Sequence, residues 1–328
     1  MARVAACGKL KPTQVGRYCS AIMLLVLLIN GCQARLDMSG VLSQQSQPVQ
    51  RADLLQAAAA HGETIVVVGA MGIIITSDDG GTTWQRTTLD GKPFLIDVSV
   101  CPSGDFFAID NVGALWSSAS ATDWSENPLP ASVEPQALTC DESGALWLVG
   151  SFGTIMTSVD GGGKWKTYSL DDDVYLTTVQ FVDPEHGYIT GEFGTVLHTR
   201  DNGSTWQRVE DLPDNFYPQA ARFIDQYTGW IVGLNGTIWY TGNGGKTWSQ
   251  EDNGHNAPLY GVALVGDRLV AVGDNGTVLY RRPGEADWAQ LENSVGTRTY
   301  LRGIVALSDG RFAAAGGGVL FTSALPLP

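Results

Sequence analysis

The sequence has few basic residues and few histidines, and it lacks the common catalytic motifs. Lys and Arg together number 20 among 328 residues, against 34 Asp and Glu, and the formal net charge is −14. Nucleic acid is excluded as a partner, because phosphate binding depends on clustered Lys and Arg. There are four His, and no G-x-S-x-G, H-E-x-x-H or C-x-x-C pattern occurs. No catalytic residue, metal site or cofactor is therefore predicted.

Long hydrophobic runs are also scarce, and the one at the N-terminus resembles an export signal. The apolar run at 21–29 is far shorter than the roughly 20 residues that a membrane-spanning helix needs. Four basic residues and no acidic residue precede it, which is typical of a signal peptide. Removal of residues 1–31 would change the net charge from −14 to −18. The mature protein is predicted to be exported and strongly acidic.

The end of this run resembles the lipobox of lipoprotein precursors. The match is Leu28-Ile29-Asn30-Gly31-Cys32, with Cys32 as the lipidated residue. Gln33 follows, rather than the Asp associated with inner-membrane retention, and this favours an anchor in the outer membrane on its periplasmic side. The alternative is an unmodified Cys32 in a signal that is cleaved near Ala34.

Only two further cysteines remain in the mature chain. Cys101 and Cys140 lie at nearly equivalent places in two successive repeats, VSVCPSG and LTCDESG. An oxidising compartment would permit a disulfide between them. The strand ends could also be too far apart for a bridge, which would leave two unpaired thiols.

A repeat of about 41 residues organises the rest of the chain. Two series mark it, six Trp spaced by 40 to 42 residues and seven Gly about twelve residues earlier. The Trp series is Trp84, Trp124, Trp165, Trp206, Trp248 and Trp288, and the Gly series is Gly72, Gly113, Gly153, Gly194, Gly236, Gly276 and Gly317. Each unit contains four short runs rich in β-branched and aromatic residues, separated by Gly, Asn and Asp turns. The repeat predicts an all-β, seven-bladed β-propeller of four-stranded antiparallel blades.

The predicted domain limits follow from this period. Residues 1–31 are the signal peptide, 32–41 the anchor and linker, and 42–328 the propeller. The seventh repeat stops before its outer Trp strand, so we expect the segment VLSQQSQPVQ at 41–50 to act first as a linker and then as the strand that completes the last blade. The rival assignment for this segment is a flexible linker throughout. A monomeric propeller is expected.

The Trp follows a turn that matches the Asp-box pattern S-x-D-x-G-x-T-W. Four units retain it, and their defining residues are Ser77, Asp79, Gly81 and Trp84; Asp160 and Trp165; Asp201, Gly203 and Trp206; and Asn243 and Trp248. The polar side chains can hydrogen-bond the turn backbone, and the indole can bury a large apolar surface over the neighbouring sheet. We expect the boxes to be structural.

The repeated units resemble the photosystem II stability/assembly factor-like propellers. The resemblance rests on F-x-x-x-x-x-G-[WY]-x-x-G-x-x-G-T-[VI] units followed by an Asp box, as in Phe181–Val196 and Phe223–Ile238. It implies a seven-bladed, exported protein that helps to assemble or stabilise a membrane protein complex without catalysis. Photosynthetic members have an Arg-rich binding face, which this acidic chain does not reproduce.

Asp boxes also occur in glycosidases, and a glycan- or small-ligand-binding propeller is a further alternative. A sialidase needs three Arg around the substrate carboxylate, an acid/base residue and a Tyr–Glu pair. Arg222 and Arg302 could approach the axis, but no third Arg is evident. His186 and the run Asp171 to Asp173 are interpreted as solvated turn residues.

The binding surface is predicted from the innermost strands. Five aromatic residues fall near the start of these strands in five repeats, and Glu134 interrupts the series: Phe94, Tyr175, Tyr217, Tyr260 and Tyr300. In a closed ring they would encircle one mouth of the central channel, with Arg222 and Arg302 nearby as polar anchors. The alternative is that the rings pack against neighbouring blades.

Overall fold

The computed structural model describes residues 37–130, 133–170, 172–285, 287–292 and 298–326. The predicted signal peptide, Cys32 and Asp171 lie outside these residues. The described chain divides into a first unit ending at Ser46 and a second unit, Gln47–Pro328. Within the first unit a short helix, α1, spans Ser39–Gln45 and has no buried residue. In the described ranges no helix is long and apolar enough to cross a membrane.

The second unit is a seven-bladed propeller, as predicted. Each sheet is an antiparallel meander that follows the order of the chain. Blades 1 to 3 consist of β1 Leu55–His61, β2 Thr64–Gly69, β3 Ile73–Ser77 and β4 Gln85–Thr88; β5 Leu95–Val100, β6 Phe106–Asp110, β7 Ala114–Ser118 and β8 Ser125–Pro128; and β9 Pro135–Cys140, β10 Leu146–Gly150, β11 Thr154–Ser158 and β12 Lys166–Ser169.

The remaining blades repeat this order, except that the last sheet has three strands in the described residues. Blades 4 to 7 consist of β13 Leu176–Phe181, β14 Gly187–Gly191, β15 Val196–Thr199 and β16 Gln207–Arg208; β17 Pro218–Phe223, β18 Gly229–Gly233, β19 Ile238–Thr241 and β20 Ser249–Glu251; β21 Leu259–Val265, β22 Arg268–Gly273, β23 Val278–Arg281 and β24 Ala289–Gln290; and β25 Leu301–Ala306, β26 Arg311–Gly316 and β27 Val319–Ala324.

The segment 41–50 does not supply the missing strand, so that prediction is wrong. Residues 41–45 are helical, and no strand occurs between 46 and 50. The run Leu-Ser-Gln-Gln-Ser-Gln lacks β-branched residues, and Leu and Gln are good helix formers. The limits 32–41 and 42–328 stay predictions.

The ring closes through contacts between blades 1 and 7 instead of a shared sheet. Arg86 in blade 1 holds the entering chain, since its guanidinium donates two hydrogen bonds to the Asp53 carboxylate at 2.7 and 2.9 Å. Asp53 also accepts the amide of Gly318 through its backbone oxygen at 2.7 Å. Leu55 and Ile65 of blade 1 share a hydrophobic cluster with blade 7 residues. A short antiparallel bridge between Leu54 and Gly317 and the burial of apolar side chains therefore join the two blades at this seam.

A disulfide links blades 2 and 3. Cys101 and Cys140 are bonded, with their Cα atoms 5.1 Å apart. Cys101 directly follows β5 and Cys140 is the last residue of β9, so the ends of these neighbouring inner strands lie close enough for a bridge. The bridge constrains a loop of the unfolded chain and stabilises the fold in that way.

The Asp boxes form the predicted turns. In blade 1 the Ser77 hydroxyl donates to Asp79 at 2.8 Å and accepts the Gly81 amide at 2.8 Å. The other carboxylate oxygen of Asp79 accepts the Thr83 hydroxyl at 2.7 Å. In blade 5 the side-chain oxygen of Asn243 accepts the Thr241 hydroxyl and the Thr247 amide, both at 3.0 Å. A neutral amide therefore maintains the turn as the carboxylate does.

Each repeat Trp packs at the boundary with the preceding blade. Trp206 of blade 4 is half-buried beside Trp147 of blade 3 and Phe181, with ring centroids 6.1 and 6.0 Å away. The other Trp residues join equivalent clusters: Trp84, Trp124, Trp165, Trp248 and Trp288. Gly203 permits this approach, because a Cβ at this position would meet the Trp147 ring.

Candidate functional site

The central channel is lined by the first strand of every blade. In all seven blades the pairing with the second strand slips by one residue at the same place, which is a β-bulge. The bulged residues all line the channel: Gln56, Ile96, Gln136, Thr177, Gln219, Tyr260 and Arg302. We call this set the channel ring. A bulge re-aims a side chain, and its repetition in seven blades gives a ring of six polar side chains and Ile96.

The predicted aromatic residues do not all occupy one level. Phe94, Tyr175, Tyr217 and Tyr300 each directly precede an inner strand, as the alignment predicted. Tyr260 lies two residues further along its strand, at the bulge. The residue that directly precedes this inner strand is Pro258, and not Tyr260 as the alignment predicted. The alignment failed there because a bulge shifts the backbone without leaving a pattern in the sequence.

The four aromatics that precede strands form a collar around the ring. Phe94 and Tyr217 are 37% and 41% exposed, and Tyr175 and Tyr300 are partly buried. Glu134 interrupts the series in sequence but takes part in the collar, since the Tyr175 hydroxyl donates to its carboxylate at 3.0 Å. This hydrogen bond is the largest of the effects that raise the pKa of the Tyr175 hydroxyl.

Arg302 and Arg222 lie in different environments. Arg302 is an exposed member of the channel ring and makes no hydrogen bond or ion pair within the described part of the chain. Arg222 lies further along its strand, where burial lowers the pKa of its guanidinium and its Nε finds no hydrogen-bond partner among the described residues. Arg302 is therefore available to a ligand, whereas Arg222 is largely enclosed.

The charge of Arg302 acts on ionisable groups of several blades. Burial raises the pKa of Tyr217, Tyr260 and Tyr300, and in each case the positive charge of Arg302 acts in the opposite direction. Burial also raises the pKa of Asp97 in blade 2 to about 6. The hydrogen bonds from the Leu138 and Val98 amides and the charge of Arg302 oppose this rise. One guanidinium thus influences blades 2, 5, 6 and 7.

This arrangement can bind an anionic group but has few reactive components. A guanidinium surrounded by Gln amides and Tyr hydroxyls suits a carboxylate, which accepts charge-assisted hydrogen bonds. Among the described residues Arg302 is the only Arg that lines the channel, so the triple-Arg arrangement of a sialidase does not form there. The same residues contain no group of three side chains that could hold a metal ion.

Sequence reasoning missed most of the ring. Gln56, Gln136 and Gln219 were overlooked because Gln at a strand start has no distinctive pattern. Asp97 was also overlooked, although it is the one carboxylate among the described channel-lining residues. A register shift seen in every blade is the only signal that unites these positions, and it requires coordinates.

Comparison with known proteins gives a family match. The model for "Photosynthesis system II assembly factor YCF48" matches residues 116–218. "Photosystem II assembly lipoprotein Ycf48" of Synechococcus sp. (strain CC9902) is 28% identical over 139 residues, 40% of this chain. The predicted resemblance to the photosystem II stability/assembly factor-like propellers is confirmed. The chain spans 42% of the length of that relative.

Solved structures of other proteins show the same fold. "YCF48 bound to D1 peptide" has a TM-score of 0.71 at 15% identity, covering 85% of this chain and 93% of the other. "Streptogramin B lyase structure" has a TM-score of 0.73 at 15% identity, covering 84% and 94%. An assembly factor and an enzyme are equally similar in structure, so function has to be argued from the site.

Proposed function

We propose that this chain is an exported, lipid-anchored and non-catalytic assembly factor for a membrane protein complex. The observation that carries the proposal is the family match over 116–218, together with a channel face that presents aromatic side chains and one free guanidinium. The relative from Synechococcus is named an assembly lipoprotein, which agrees with the lipobox-like Cys32. The anchor would hold the protein in the periplasmic leaflet of the outer membrane.

The proposed binding surface is the channel face. Its components are the collar of Phe94, Tyr175, Tyr217 and Tyr300 and the ring residues Tyr260 and Arg302. Aromatic and Arg side chains are the most frequent energetic hot spots of protein interfaces. Exposure of Phe94 and Tyr217 gives a partner direct access to the rings. Arg222 is enclosed, so we assign it a supporting part beneath this surface.

Cross-linking in intact cells tests the proposal. The full chain would be purified after cross-linking, its partners identified by mass spectrometry, and its lipid followed with a palmitate analogue. We expect a membrane protein among the partners, and labelling that is lost in Cys32→Ala. Recovery of soluble ligands or glycans without any membrane protein would favour a ligand-binding propeller. Equal labelling of both chains would refute the anchor.

A further inference from the structure

Four consecutive blades expose a large apolar side chain at the same turn. The turn joins the second and third strands and therefore opens on the same face as the channel mouth. Met71, Val112, Phe152 and Phe193 occupy its third position in blades 1 to 4 and are 57%, 80%, 58% and 56% exposed. We call these four residues the apolar arc. Exposed apolar side chains that recur on one face of a protein indicate an interaction site.

The backbone at this turn does not favour such residues. Met71, Phe152 and Phe193 have φ values of +60°, +54° and +57°, which bulky side chains rarely adopt. Blades 5 and 6 have Asn235 and Asn275 at the same position, each with a φ of +56°. Asn tolerates this conformation, so folding alone would select Asn or Gly wherever φ is positive, which includes Met71, Phe152 and Phe193 but not Val112. Backbone strain at exposed apolar residues, where an unstrained residue would fit, indicates a role in binding.

Hydrogen bonds hold these turns in place. The Gly194 amide donates to the Phe216 carbonyl oxygen at 2.7 Å, and the Leu212 amide donates to the Gly194 oxygen at 2.8 Å. In the same turn the Glu192 amide donates to the Tyr175 oxygen at 2.9 Å. The phenyl ring of Phe193 therefore projects from a backbone that is already ordered, which lowers the entropic cost of binding.

The exposed charge beside Phe152 and Phe193 is mainly acidic. The residues at 133–134, 172–175 and 209–217, ahead of blades 3, 4 and 5, include acidic residues and no Lys or Arg, whereas Lys92 lies beside the Met71 turn of blade 1. Glu134, Asp173 and Asp214 are exposed, whereas Asp172 pairs with the Arg208 guanidinium at 3.3 Å. A membrane surface with anionic headgroups would be repelled, and a neutral one offers no partner for the carboxylates. A basic protein segment complements them.

We propose that the apolar arc binds a protein segment in which apolar side chains alternate with Lys or Arg. The proposal rests on the assembly-factor function and specifies the chemistry of the partner at the channel face. Apolar side chains of the segment would contact Phe152 and Phe193, and its cations would lie over the loop carboxylates.

Binding of synthetic peptides to the full chain tests this inference. The peptide is a short fluorescent chain that repeats Lys-Leu-Arg-Phe, compared with one carrying Glu at the basic positions and one carrying Ser at the apolar positions. The double variant Phe152→Asn, Phe193→Asn introduces the residue that blades 5 and 6 already use. The matched control is Val159→Asn, because Val159 is 86% exposed in an Asp-box turn, at the opposite end of the strands.

We expect the basic apolar peptide to bind most tightly. The double variant should weaken it by about tenfold or more, the effect of losing one or two hot spots. Val159→Asn should leave binding unchanged, and the melting temperature of the double variant should not fall. Equal binding of the Glu peptide, an equal loss in the control, or binding only to phosphatidylcholine vesicles would overturn the inference. Absence of membrane partners in cells would refute the assembly role without altering this assay.

Discussion

The Trp206 side chain shows what a repeat aromatic contributes. Its indole lies against Trp147 of the preceding blade and Phe181 of its own. Because it is half-buried, we expect Trp206→Ala to lower the free energy of unfolding by about 3 kcal/mol, the low end for a large core aromatic. Urea denaturation measures this change, with Tyr227→Ala as the exposed control. An unchanged stability together with lost partner binding would make the residue functional instead.

His198 gives the fold a dependence on pH. Its ring is 4% exposed and stacks on Tyr188 with centroids 4.4 Å apart. Burial is the largest cause that lowers its pKa to about 4, and the charges of Arg200 and His186 add to it. In the unfolded chain the pKa of His198 is near 6.5. Between pH 6.5 and 4 the unfolded chain therefore binds a proton that the native protein does not, and the free energy of unfolding falls as the pH falls through this range.

His198→Phe tests this assignment, because the variant maintains an aromatic ring but cannot titrate. From pH 6.5 to pH 4 the unfolding free energy should fall more steeply in the wild type than in the variant. Asp97, whose pKa is raised in the folded protein, shifts stability in the opposite direction in both chains and cancels in the comparison. Parallel pH profiles from urea denaturation would contradict the assignment.

At the scale of elements, the turns could be predicted but the bulges could not. Glycines with positive φ punctuate the sequence at a fixed period, and six of the seven predicted positions have such a φ, from +59° to +100°. In blade 7 the role passes from Gly317 to Gly318, whose φ is +66°. The bulged residues, among them Gln56, Thr177 and Arg302, occupy the same position in the strand pairing but belong to different residue types. The channel ring therefore remained hidden in the sequence.

Gly194 provides the element-scale prediction. It has a φ of +76°, and a Cβ would meet the Leu212 carbonyl oxygen. Gly161 has a φ of +71° with nothing within 4 Å of the same point. Both Ala variants bear the left-handed strain of about 1 to 2 kcal/mol, but only Gly194→Ala adds a backbone clash. Thermal unfolding should show the larger loss for Gly194→Ala; equal losses would refute the steric account.

At the scale of the molecule, the period of 41 predicted seven blades, but it could not predict how the ring closes. Closure depends on contacts between residues far apart in the chain, such as Arg311, whose guanidinium donates to the Gly80 oxygen at 2.7 Å. No local pattern encodes such pairs. The binding face is likewise a property of the closed ring, because residues from successive blades meet only there.

The most direct test of the central claim is partner recovery with the double variant Tyr217→Ala, Tyr260→Ala, cross-linked in intact cells beside the wild type. The account predicts a normally folded variant, shown by an unchanged melting temperature, that recovers much less of the membrane protein that the wild type captures. Normal folding with full recovery would contradict the account and place the interface elsewhere. Loss of folding in every such variant would also contradict it, since these tyrosines would then belong to the core.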